Sequence, residues 1–117
     1  MAVIVPTQSY PINGNNNFLL VAWEGLANGD EGEPFILSQY ADRSVQVLGT
    51  FGTGGTVIFE GSNNGVTYSP LTDDQGTTLS FLTSKLSQIM QIVVNIKPRV
   101  TSGDGSTSIN VYMLVRK

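Results

Sequence analysis

Along Ser108 to Arg116 every second residue is apolar: Ile109, Val111, Met113 and Val115 alternate with Ser108, Asn110, Tyr112, Leu114 and Arg116. An extended strand turns successive side chains to opposite faces, whereas a helix repeats its apolar stripe every three to four residues, so this spacing demands a strand with one buried face. The pattern recurs. Val45, Val47, Gly49 and Phe51 alternate with Ser44, Gln46, Leu48 and Thr50, and Ile92, Val94, Ile96 and Pro98 alternate with Val93, Asn95, Lys97 and Arg99. Each of these strands is expected to supply one inward face. Val57-Ile58-Phe59 is apolar on both sides, as expected of a strand covered twice or placed at a subunit contact.

From Phe18 onward, short apolar runs are separated by Gly, Asn and Asp without a linker-like gap. The spacing predicts strands over Phe18 to Glu24, Pro34 to Tyr40, Ser44 to Phe51, Gly55 to Gly61, Val66 to Leu71, Thr77 to Leu82, Ile92 to Val100 and Thr107 to Arg116. Three turns read as hairpins: Asn63-Asn64-Gly65, Ser102-Gly103-Asp104-Gly105 and Gly52-Thr53-Gly54-Gly55. Ser84 to Met90 fits either a short helix, through Leu86, Ile89 and Met90, or a strand end. Residues 1–17 hold Pro6, Pro11 and the tract Asn13-Gly14-Asn15-Asn16-Asn17, which read as an extended N-terminal arm ahead of a single domain over 18–117. The fold class is therefore all-β, an antiparallel β-sandwich of about eight strands with either jelly-roll or immunoglobulin-like connectivity. A chain of 117 residues folded as one domain has a radius of gyration of about 13 Å.

Composition narrows the chemistry. Cysteine and histidine are both absent, which removes disulfides, thiolate nucleophiles, imidazole bases and the usual zinc ligand sets. Six Lys and Arg against nine Asp and Glu leave a net charge of −3, and scattered cations of that number cannot neutralise a run of phosphates or an anionic bilayer. Neither nucleic acid nor membrane is expected as a partner. Met1 to Val5 has no basic residue ahead of it and breaks at Pro6, so no secretory signal is read there, and the chain is expected to be an unprocessed, complete gene product.

Most motif-like stretches have plain readings. Gly49 to Thr56 has the glycines of a phosphate loop but no Lys-Ser or Lys-Thr after them, and it reads as a turn. Asp30-Glu31-Gly32-Glu33 and Asp73-Asp74 lack the spacing of a calcium loop and read as solvated acids, so no metal or cofactor is expected. Glu24, Glu60, Asp73 and Asp74 are the carboxylates available for glycoside hydrolysis, a reaction that needs two of them ~5 or ~9 Å apart across a cleft. Ser84-Lys85 are adjacent and point apart, and no enzymatic activity is expected. Trp23, Tyr40, Tyr68 and Tyr112 either stack on sugars or anchor a protein contact, or else cover the edges of the core.

Two segments carry a family resemblance. Thr56-Val57-Ile58-Phe59-Glu60-Gly61-Ser62-Asn63-Asn64-Gly65-Val66-Thr67-Tyr68, followed by Leu71 and Gly76, and later Lys97-Pro98-Arg99-Val100-Thr101-Ser102-Gly103-Asp104-Gly105-Ser106-Thr107-Ser108-Ile109, resemble small capsid decoration (cement) proteins of tailed bacteriophages. The resemblance spans residues 45–117, with Tyr68 standing where Trp is common. It implies a virion structural protein on the outer capsid surface, made in the host cytoplasm, which binds the major capsid protein and itself as a dimer or trimer. Contacts are expected from the arm residues Val3, Ile4, Val5, Tyr10 and Ile12, together with Trp23 and Tyr68. The alternative is a carbohydrate-binding or adhesin module of a phage tail or fibre, using Tyr68 and Trp23.

Overall fold

The computed structural model describes residues 1–37 and 39–117, and every regular element in it is a β-strand. In chain order these are β1 (Val3–Ile4), β2 (Thr7–Ser9), β3 (Phe18–Leu26), β4 (Glu31–Gly32), β5 (Phe35–Ile36), β6 (Asp42–Thr50), β7 (Thr56–Ser62), β8 (Ser69–Pro70), β9 (Ser80–Phe81), β10 (Lys85–Gln88), β11 (Asn95–Ser102) and β12 (Ser108–Arg116). They form two stacked sheets. One has five strands in the order β10-β6-β12-β3-β2; the other has seven, in the order β1-β4-β11-β7-β8 with β5 also on β11 and β9 also on β7.

From β3 onward the chain crosses repeatedly between the sheets, and its partners nest: β3 pairs with β12, β4 and β5 with β11, β6 with β10, and β7 with β8 and β9, all antiparallel. This is the connectivity of a jelly roll, in which a long antiparallel ribbon is wrapped so that its two strands alternate between layers. Of the two connectivities open to the sequence, the chain adopts this one. The radius of gyration is 13.5 Å.

The period-two pattern decides which side of each strand is buried. Ile109, Val111, Met113 and Val115 of β12, and Val45 and Val47 of β6, all face inward and have no exposed surface. On the opposing sheet Val57, Phe59, Ile96 and Val100 meet them, with Phe59 and Phe81 packed edge to face at 5.5 Å. In β3 a bulge lies between the pairs Trp23–Val111 and Leu26–Ile109, so Trp23 and Leu26, three residues apart, both reach the core. Gly25 occupies the bulge with a φ of 77°, and its amide donates to Asn110 Oδ1.

Several expected elements differ from those observed. Only Phe35–Ile36 of Pro34 to Tyr40 forms a strand, with Ser38 outside the described residues; Val66 to Leu71 contributes Ser69–Pro70, and Thr77 to Leu82 contributes Ser80–Phe81. Ile92 and Val94, expected inward, are exposed, because β11 begins at Asn95 and its buried side starts at Ile96. Ser84 to Met90 takes the strand alternative as β10, an edge strand on β6. Of the three hairpins, Asn63-Asn64-Gly65 does join antiparallel neighbours, β7 and β8. The other two turns instead carry the chain from one sheet to the other.

Those two corners brace each other. Thr107, buried, donates its hydroxyl to Phe51 O and accepts from the Asp104 amide, while Ser102 Oγ donates to Gly54 O. Asp104 accepts from the amides of Thr53 and Ser106 and from Ser106 Oγ, which holds its carboxyl far below the usual carboxylate range. A depressed native value means that this contribution to stability is complete above the unfolded carboxyl value of ~3.9 and is lost as pH falls below it. Denaturant titrations across pH will show Asp104→Asn flattening the acid limb below about pH 4. Thr107→Val will cost about 1 kcal/mol at neutral pH by removing the hydroxyl that pairs with the half-buried Phe51 carbonyl and Asp104 amide.

Candidate functional site

The first nine residues are extended and contact both sheets of their own chain. β1 runs parallel to β4, pairing Val3 with Glu31 and Ile4 with Gly32, and β2 runs antiparallel to β3, pairing Thr7 with Ala22 and Ser9 with Leu20. Pro6 lies between them, at the point where the segment leaves one sheet for the other. Side chains alternate here too: Ile4 is half-buried against the core, whereas Met1, Val3 and Val5 are exposed. Tyr10 and Ile12 follow, also exposed, in a turn closed by Asn15 donating to Ile12 O at 3.1 Å.

Two buried residues hold this segment. Asp30, in a stretch expected to be solvated, is 8% exposed; its carboxylate accepts from the amide of Ala2 at 2.8 Å and from that of Ala27 at 3.0 Å. Backbone bonds from Glu31 N to Ala2 O and from Glu33 N to Ile4 O continue the attachment. Trp23 was expected to touch a partner, but it has no exposed surface: its indole N–H donates to Glu33 O at 3.0 Å from within the core. Its role is to support β4 from beneath. Gly32 lies so close that a Cβ there would come within 2.6 Å of both the indole and the Pro98 ring.

Tyr68 is half-buried on the outer face of the seven-stranded sheet, with Lys97 Nζ 4.6 Å from its ring centroid. Lys97 also bridges Glu31 at 3.1 Å and Glu60 at 3.7 Å, and Glu60 pairs with Arg99 at 3.2 Å. The structure therefore links Tyr68 to a ladder of alternating charges and not to the arm. Cross-strand pairing of Lys97 with Glu60 and of Arg99 with Glu31 sets up this ladder. Glu24 lies on the other sheet's outer face and accepts from Tyr112 Oη at 2.9 Å, which raises the tyrosine pKa; Glu24 and Glu60 thus point away from each other across the sandwich. Asp73 accepts from the amides of Gln75 and Thr77 within its own turn. Tyr40 packs against Phe35 with ring centroids 6.2 Å apart.

Comparison with known proteins adds to this geometry. No protein-family model and no curated protein sequence matches the chain. Among solved structures, the fold is similar to that of the SPBc2 prophage-derived protein YomS, with a TM-score of 0.64 and 15% identity over 86% of this chain and 95% of that one. The likeness is one of fold. A cupin domain from Bordetella pertussis Tohama I aligns over 100% of this chain and 98% of its own at 16% identity, but its TM-score of 0.46 carries no argument.

Of the arm residues expected to contact a partner, Val3, Val5, Tyr10 and Ile12 are exposed, whereas Ile4 packs against the chain's own core; the residues that hold the first strand in place were missed. Asp30 gave no local signal, because its partner Ala2 lies 28 positions away. Arg43 was missed for a similar reason. It lies one residue before the expected strand, extends the inward face of β6, and donates to Gln91 O while burial lowers its pKa. Gly32→Ala will overpack the Trp23–Pro98 contact by ~1–3 kcal/mol. Hydrogen exchange will show it as faster exchange at the Glu31 and Glu33 amides, while those of β12 keep their protection.

Proposed function

We propose that this protein is a virion structural protein that decorates and stabilises a bacteriophage capsid, bridging subunits of the major capsid protein as a dimer or trimer on the outer surface. The observation that carries this reading is the set of exposed apolar side chains Met1, Val3, Val5, Tyr10 and Ile12, on or next to a segment whose backbone pairs with one sheet at Val3–Ile4 and with the other at Thr7–Ser9. An ordered strip loses little conformational entropy on docking, and each apolar side chain it buries contributes ~1.5–3 kcal/mol before the cost of association. On a lattice of identical subunits, copies tethered at several points gain further by effective concentration.

Two other findings support the reading. The sequence segments around Ser62 and Asp104 resemble capsid decoration proteins, and the fold is similar to that of a prophage-derived protein over most of both chains. The acidic balance of the chain suits a position away from packaged genome. Glycan binding by a tail or fibre module would lose Trp23 to the core and would compete with Lys97 for Tyr68.

The test is sedimentation of the purified protein with particles that lack it. Val3→Ser, Val5→Ser and Tyr10→Ser combined leave the strand-pairing backbone in place, and the reading expects particle binding at least ~10-fold weaker, equivalent to ~1.4 kcal/mol, with unchanged thermal unfolding. Undiminished decoration by the triple variant, or by a chain lacking residues 1–12, overturns the role of the segment.

A further inference from the structure

The two outer faces of the sandwich are unlike. The seven-stranded sheet carries the Glu31, Lys97, Glu60 and Arg99 ladder, whereas the five-stranded sheet turns Phe18, Leu20, Leu48 and Leu114 outward, all half-buried. Register places them in neighbouring rows: Leu20 beside Leu114, Phe18 beside Arg116, and Leu48 beside Asn110. Leu86 extends the apolar surface to edge strand β10, where it is 67% exposed. Between β10 and β3 lies an open concavity of about 470 Å³ whose lining includes Phe18, Leu86 and Leu114. At its rim Arg116 pairs with Asp42, and both side chains are about half exposed.

We propose that this face binds the same face of a second copy, forming a two-fold dimer. Charge decides for a second copy over a partner of one sign. An isologous interface must be its own complement, and Asp42 and Arg116, directly opposite on β6 and β12, provide both signs at one place. A two-fold axis running between these strands sets Arg116 of one copy over Asp42 of the other, and the reverse. Glu24 accepts from Tyr112 on this face and lies six residues along β3 from Phe18, the neighbour of Arg116, so it stays clear of the Asp42–Arg116 row when two copies meet. Size agrees. Three strands of nine residues, with four of β10 and three of β2 beside them, spaced ~4.8 Å apart and rising ~3.3 Å per residue, make a flat face of roughly 540 Å², near the low end of stable interfaces at ~600 Å² per partner. The proposal specifies the self-association included in the capsid role, and it leaves the N-terminal row free for the shell.

The experiment needs no particle, so its outcome is separate from that of the decoration assay. Sedimentation equilibrium of the purified chain at micromolar concentrations is expected to show a dimer, weakened at least tenfold by Leu114→Glu and by Leu86→Glu, the second lying on an edge strand where folding is little affected. Asp42→Arg and Arg116→Asp are each expected to give monomers, with folding confirmed by thermal unfolding. An equimolar mixture of these two variants is expected to recover the dimer, because every cross-copy pair is then opposite in charge. A monomeric wild type, a dimer indifferent to Leu114→Glu and Leu86→Glu, or two reversed variants that fail to complement would overturn the proposal.

Discussion

β12 is hydrogen-bonded along both edges, to β3 on one side and to β6 on the other, over nearly all of its nine residues. No other strand of the five-stranded sheet is held along such a length on both sides, and its inward row of Ile109, Val111, Met113 and Val115 forms one wall of the core. A single-residue slip of this strand would turn four buried apolar side chains to water and bring Tyr112 and Asn110 inward, so its register is fixed strongly and fixes that of its neighbours. Its place between β3 and β6 closes the jelly roll, after the intervening chain has passed through the opposite sheet as β4, β5, β7, β8, β9 and β11.

The wrapping leaves two consequences at the periphery. Corners must carry the chain between layers, and at Phe51 to Thr56 and Ser102 to Thr107 they do so side by side, sharing Asp104 and Thr107. Edges must also be managed, because an unpaired strand is a template for other chains. The N-terminal segment covers part of an edge on each sheet, which converts the backbone's liability into an ordered row of apolar side chains. Trp23, Gly32 and Asp30 work on that row from inside: the indole supports β4, β4 pairs with β1, and the buried carboxylate holds the Ala2 amide.

The outer faces then divide the surface by chemistry. Charge pairs on the seven-stranded sheet satisfy one another across strands and leave little to offer a partner, while the five-stranded sheet carries an apolar centre with the Asp42–Arg116 pair at its rim. Contact with a shell and contact with another copy can therefore use different surfaces of the same small domain, the N-terminal row and the five-stranded face.

Alternation of apolar residues, read from Ser108 to Arg116 and from Ser44 to Thr50, by itself determined that the chain is all-β, which faces are buried, and that two sheets must stack, because strand periodicity is a local property of the backbone. The absence of Cys and His equally limits the available chemistry. Short strands such as Val3–Ile4 and Glu31–Gly32 were not legible, since two residues carry no period and their pairing depends on a long-range neighbour. Turn residues around Gly54 and Asp104 signalled a reversal but not whether the chain stays in its sheet or leaves it, as both need the same local angles. Only the tertiary structure decided that Trp23 is a core support and not a contact, that Asp30 binds the first residues, and that the outward leucines of three separate strands form one face. Each of those depends on residues far apart in sequence being brought together by the wrap of the sandwich.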